Sequence, residues 1–196
     1  MSNNPAFQAS IDAIDNANRE DPNHVLIDGV QQPVELIYSQ RMSQRLEQFA
    51  PDSSEALQLA VRSQHIQRWK SPRDQYPAGR DGYRQWRKDL GQFHANTAAA
   101  LMAAAGYDAE TTERVQVLLQ KKGIKRDPEV QALEDVACLV FLEHYLSDFA
   151  AKHEDEKLID IIQKTWRKMS ESGHDAALKL PLDPALMPLI ERALQG

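Results

Sequence analysis

Residues 128–149 read PEVQALEDVACLVFLEHYLSDF, and this stretch decides the fold. Its apolar side chains do not alternate, as a half-buried strand would require. They recur at helical spacing from Val130 through Leu133, Val136 and Leu139 to Leu142 and Leu146, and Val140, Phe141 and Phe149 fill the other faces. A helix with no clear polar stripe lies at the centre of a bundle. The stretch is also much longer than a single strand and opens on Asp127-Pro128, a capping residue followed by the residue best tolerated in a first turn. The expected fold is therefore all-α.

The same reading extends outward. On the N-terminal side a long helix is expected from near Asp81 to Gly106, and the next from the capping residue Asp108 to Gly123. Earlier helices are expected over about Ala6 to Asn18, from Pro33 to about Ala50, and from a cap at Asp52 to about Trp69. Turn-forming residues at Asp21-Pro22-Asn23 and Asp28-Gly29 separate the first two, and Pro72, Pro77 and Gly79 mark the longest loop. On the C-terminal side the helix from Pro128 is expected to reach about Lys152, with another over about Asp155 to Ser172 and short pieces after Gly173 and Asp183-Pro184. The expectation is a single domain over residues 1–196, a bundle of seven or eight helices.

Composition narrows the function classes. An apolar share of 42% and a charged share of 27% are those of a chain that buries a core. The single cysteine, Cys138, leaves no internal disulfide, which suits a reducing compartment. The start MSNNPAFQAS lacks a basic segment followed by an apolar run, and no stretch reaches the ~20 apolar residues of a membrane span, so the cytoplasm and no membrane partner are expected. A net charge of −6 argues against a general nucleic-acid-coating role. The charge is uneven: between Arg62 and Leu90 eight cations face three acids, a local +5. A basic island in an acidic chain points to a confined anion rather than to a long polyanion.

That island, with the residues just before it, reads QHIQRWKSPRDQYPAGRDGYRQWRKDL from Gln64 to Leu90. Arg68, Arg73, Arg80, Arg84 and Arg87 alternate with Trp69, Tyr76, Tyr83 and Trp86, and Lys121-Lys122 follow the next helix. Guanidinium forks match phosphate oxygens, and aromatic faces stack on a base or sugar. Taken singly, such arginines more often pair with surface acids and such aromatics fill core. As a segment they mark a site for a nucleotide or another small phosphorylated ligand. No GxxxxGK loop, GxSxG or CxxC pair is present.

Four helices also turn a metal-competent side chain toward an apolar stripe. Glu35 shares one with Tyr38, Met42 and Leu46; His65 follows Leu57 and Val61; His94 aligns with Leu90 and Leu101; Asp135 aligns with Leu139 and Leu142. Imidazole and carboxylate are ligands for a divalent ion such as Zn, Mn or Fe. A lone core histidine is more often simply hydrogen-bonded, and a lone buried acid more often pairs with an arginine, so convergence of the four is what a metal requires. Glu134, beside Asp135, is a second acid in the central helix, and one helical step of ~100° separates the faces the two present.

The runs QHIQRWKSPRDQYPAGRDGYRQWR, LEDVACLVFLEHY and IIQKTWRKMSESGHDAAL resemble a bacterial family known as domain of unknown function 4202, over nearly the whole chain. More distantly, the layout resembles the HD superfamily of helical, metal-dependent phosphohydrolases. AVRSQHI looks like that superfamily's helix ending in His-Asp, which puts Gln64 at the paired His and His65 at the paired Asp. Glu35 in VELIYSQRM falls where the first His stands, His94 where many members have an additional His, and Asp135 at the last Asp. The resemblance implies a divalent metal (Mn, Fe, Zn or Mg) held by Glu35, His65, His94 and Asp135. Gln64 is then a hydrogen-bonding orienter and Glu134 a ligand-orienting group or base. Glu35 for His and Gln64-His65 for His-Asp depart from the standard ligand set. Two readings follow: a metal-dependent phosphohydrolase, or a module of the same fold that binds a phosphorylated ligand or an acidic protein partner without turnover.

Overall fold

The computed structural model describes residues 4–195. Ten α-helices and one two-stranded hairpin are present among them, and the fold is all-α. Contacts gather in two compact units, residues 1–123 and 124–196.

In the first unit α1 spans Pro5–Arg19 and starts where the Asn4 side chain accepts from Ala6 N at 3.0 Å. It leads into β1 (His24–Ile27) and β2 (Val30–Pro33), paired antiparallel around Asp28 and Gly29. Both turn residues have positive φ, 49° and 80°, the primed turn whose twist matches paired strands. This segment was expected only as a loop; Asp-Gly was the signal for a hairpin.

Helix α2 spans Val34–Phe49 and α3 spans Glu55–Ser63. The α3 cap is Ser54, accepting from Leu57 N at 3.1 Å, rather than Asp52, and the helix stops six residues short of Trp69. It stops because Gln67 enters the left-handed region at φ 49°, and short 3-10 turns at Arg68–Lys70 and Arg73–Gln75 follow. Helix α4 runs Gly79–Ala104, closed by Gly106 at φ 93°, and α5 runs Ala109–Leu119 from an Asp108 cap on Thr111 N. Helix α3 packs on α1, α2, α4 and α5, burying Leu59, Ala60 and Val61 completely. A two-pronged pair from Arg62 to Asp15, at 2.7 and 2.6 Å, ties α3 to α1.

The second unit starts at α6, Pro128–His144, under an Asp127 cap on Glu129 N and Val130 N. Its inner face is as apolar as the sequence implied: Val130, Leu133, Val136, Leu139 and Val140 are fully buried. The pattern does not run on to Lys152. Tyr145, at φ −128°, breaks it, and α7 (Leu146–Ala150) is a separate turn. Helices α8 (Asp155–Trp166), α9 (Glu171–Ala177) and α10 (Met187–Gln195) complete the unit, with α6 packed on α7 and α9, and α8 on α7 and α10. The break at Tyr145 adds α7, and α9 and α10 stand where short pieces were expected, which gives ten helices among the described residues against the seven or eight expected. Among the described residues no helix is long and apolar enough to cross a membrane.

Candidate functional site

The site is built by the turn that ends α3. A left-handed Gln67 is costly for a residue with a Cβ, and it is held by Asn18 of α1, whose Oδ1 accepts from Gln67 N at 2.9 Å. The reversal presents the Ile66 carbonyl to His94 on α4, 2.9 Å from Nδ1. A carbonyl only accepts, so Nδ1 carries the proton and Nε2 is a bare acceptor. That Nε2 is buried without a partner. Burial pushes His94 down to about 3; the Ile66 bond opposes this, and Arg68, Arg87 and Lys121 add to it. His94 is therefore neutral at physiological pH.

His65 occupies the same turn. Its ring stacks on Tyr38 of α2 at 3.9 Å and 11°, and lies 6.1 Å from the His94 ring. Its Nδ1 is 3.3 Å from Glu35 Oε2, and Arg68 Nη1 lies 3.3 and 3.4 Å from its two nitrogens. Burial, followed by Arg68 and then His94, holds the imidazole well below its ordinary range. Glu35 moves the other way, up to about 7, because burial outweighs the attraction of Arg68 and Asp21 adds repulsion. Burial thus works against charge on both partners, and below about pH 7 the protonated Glu35 carboxyl can donate to His65. Glu35 itself is placed by Asp21, which accepts from Glu35 N at 3.0 Å and from Asn23 N at 2.9 Å. It supplies the cap that Pro33 cannot.

Beside these residues lies a pocket of about 550 Å³. Gln64, His65 and His94 form one part of its lining, Arg87 and Lys88 come from α4, and Lys121 and Lys122 follow α5. Asp89 is the one carboxylate in the lining. The backbone after α5 turns through Lys121 at φ 52°, closed by Lys121 N to Leu118 O at 2.9 Å.

A family model described as Domain of unknown function (DUF4202) matches residues 8–190. The chain belongs to the DUF4202 family. No curated protein and no solved structure matches the chain. The family description names no activity, so the function of this DUF4202 chain is argued from its side chains.

Of the residues singled out from the sequence, Gln64, His65, His94, Arg87, Lys121 and Lys122 line the pocket, and Glu35 and Arg68 touch His65. The other members of the basic segment do different work. Arg73 donates to the carbonyls of Tyr76 and Pro77, both at 2.9 Å, and folds the loop before α4. Arg80 and Arg84 are exposed, the latter 3.9 Å from Asp81. Tyr83 is 52% exposed and tilts against Trp86, whose Nε1 donates to Ser71 O at 2.9 Å. The Trp86 ring faces the Arg68 and Arg87 guanidiniums at 5.4 and 6.0 Å. Trp69 sits in the short turn beside Arg68.

Of the expected metal set, Glu35, His65 and His94 lie in the first unit. Asp135 belongs to the second unit, where its carboxylate accepts from Ser170 N at 2.8 Å, Ser170 Oγ at 2.6 Å and Gln131 Nε2 at 3.1 Å. Ser170 in turn caps α9 through Gly173 N. Asp135 is thus the anchor of a helix start, and Glu134 beside it lies 3.6 Å from Lys168 Nζ. Both acids thus have partners at the junction of α6 with the segment that leads into α9. Among the described residues no group of three or more His, Cys, Asp or Glu side chains is arranged to hold a metal ion. Nearby Arg68, Arg87 and Lys121 also disfavour added positive charge at His65 and His94.

Sequence reading missed Lys88, Tyr38, Asp21 and Asn18. Tyr38 was visible as the residue one turn beyond Glu35, and Lys88 as the neighbour of Arg87. Asp21 and Asn18 act only through tertiary hydrogen bonds and leave no local pattern.

Proposed function

We propose that the pocket of the first unit binds a small phosphorylated ligand without a resident metal. The observation that carries this is the lining: Arg87, Lys88, Lys121 and Lys122 against the single carboxylate of Asp89, in a protein of net charge −6. A volume of about 550 Å³ suits a molecule of sugar-phosphate or nucleotide size. Phosphate oxygens accept charge-assisted bonds from such cations.

Calorimetric titration with inorganic phosphate and a nucleoside monophosphate tests this. Binding that weakens with salt, and by about tenfold or more in Arg87→Ala and Lys121→Ala, is expected. No heat from either probe, or equal affinity in both variants, removes the reading.

A second reading, a divalent-metal-dependent phosphohydrolase of the HD kind, is supported by His94 alone. Its Nδ1–H donates to a backbone carbonyl and leaves Nε2 bare, the orientation of a metal-ligating histidine. Metal analysis and a phosphatase panel with added Mn, Co or Ni separate the two readings. Stoichiometric metal in the wild type that is lost in His65→Ala and His94→Ala would replace the first reading with the second.

A further inference from the structure

The cations of the pocket account for an anion and for nothing else. Two residues of the lining, His94 and Gln64, each carry a buried acceptor atom that meets no donor. His94 is 3% exposed, and its Nε2, stripped of a proton by the bond from Nδ1 to Ile66 O, meets no donor. Gln64 is 7% exposed, and its Oε1 is likewise buried and unpaired. Buried polar atoms are nearly always hydrogen-bonded in folded proteins, so two unpaired acceptors in one pocket lining are informative. A bare phosphate monoester cannot satisfy them. Above its second pKa, near 6, it presents only acceptor oxygens. The missing partners are hydrogen-bond donors, which the hydroxyls of a ligand supply and a phosphate dianion does not.

We infer that the ligand is a phosphorylated polyol, a sugar phosphate or the sugar-phosphate part of a larger molecule. Its phosphate meets Arg87 and Lys121, and its hydroxyls donate to His94 Nε2 and Gln64 Oε1. The inference rests on the anion reading above and sharpens it: the cations select charge, and the two acceptors select the group that carries it. Specificity of this sort is strong because a ligand lacking the donors leaves both acceptors desolvated and unpaired. Helix α4 carries Arg87 and His94, seven residues apart and so about two turns along the same face, which places the anion and hydroxyl contacts at separate points of the pocket.

Calorimetry at about pH 8, where the monoester is dianionic, with methyl phosphate and ribose 5-phosphate tests it on the unmodified protein. Methyl phosphate supplies the charge without donors; ribose 5-phosphate supplies both. Ribose 5-phosphate is expected to bind about tenfold to a hundredfold tighter, roughly a factor of ten for each restored bond. In Gln64→Leu that ratio falls about tenfold. His94→Leu also removes the bond to Ile66 O and can unfold the turn, so the comparison of ligands on wild-type protein is the primary measurement. Equal affinity of the two ligands overturns the polyol inference while the anion site stands. An unchanged ratio in Gln64→Leu overturns the role of Gln64. Failure of both ligands to bind overturns the anion site as well.

Discussion

Replacing Glu35 by Gln isolates a buried carboxyl held well above its ordinary range. Burial raises the Glu35 carboxyl from 4.5 to about 7, and its side chain is only 12% exposed. Because the folded value lies above the unfolded one, the folded state binds more protons between those limits. Stability from this group is therefore fully present below 4.5 and is lost as pH rises through about 7. A shift of roughly 2.5 units at about 1.36 kcal/mol each is worth about 3 kcal/mol. Glutamine is isosteric with the protonated acid, can still hydrogen-bond His65, and leaves the backbone bond from residue 35 to Asp21 in place. The variant should match wild type in acid and exceed it at alkaline pH, with roughly 2 to 3 kcal/mol of difference developing between about pH 5 and pH 8. Urea unfolding of both proteins across that range measures it, as a midpoint gap that opens by on the order of 1 M. Taking the difference between the two proteins cancels every other titrating group. A gap that stays flat with pH, or opens in the opposite direction, refutes the assignment of a buried, proton-binding Glu35.

Three further outcomes follow from the same geometry. His94, held down to about 3, loses stability in the reverse sense: its contribution is present above 6.5 and declines by about 1.4 kcal/mol per pH unit on acidification, and NMR titration should find the ring neutral, with its proton on Nδ1, at about pH 5. Asp135→Ala strands Ser170 N and Oγ at the start of α9 and should cost about 2–4 kcal/mol in denaturant unfolding, while phosphate affinity in the first unit is unchanged. Gly82→Ala would bring a Cβ to 1.9 Å from Pro77 O, so the loop held by Arg73 must move; a loss of about 1–3 kcal/mol is expected, and an unchanged midpoint would show that this packing is absent in solution.

How much of this was legible depended on the range of the interaction. Helix existence was readable throughout, because apolar spacing within one helix is a local property, and the caps at Asp108 and Asp127 were read correctly from single residues. Helix ends were less legible where tertiary bonds decide them. Nothing in QHIQRW announces that Gln67 turns left-handed; the reason is the Asn18 side chain forty-nine residues earlier. That one turn orients His65, Arg68 and the Ile66 carbonyl, so the arrangement of the site was hidden at the point where the sequence looked most helical. The basic segment was legible as a charge imbalance but not as a set of directions. Arg73 bends back to its own loop while Arg87, on the neighbouring helix, reaches the pocket.

Glu35 and Asp135 show why the metal expectation arose and how differently the fold treats two acids that look alike in sequence. Each is a carboxylate on an apolar stripe of a helix, and by pattern they are equivalent. What separates them is the number of donors the fold brings. Asp135 receives three, two of them from Ser170 thirty-five residues away, and its charge is absorbed in starting α9. Glu35 faces an imidazole that is itself held neutral, and its carboxyl is driven toward protonation. Asp135 is held by its donors, whereas Glu35, beside His65 and within the fields of Arg68 and Asp21, is the acid whose charge burial opposes. Of the two, only Glu35 is placed to move a proton to or from the turn that lines the pocket, through His65. An anion bound there would favour the protonated forms of both imidazoles and of Glu35 alike, so ligand binding and the protonation of this pair are coupled.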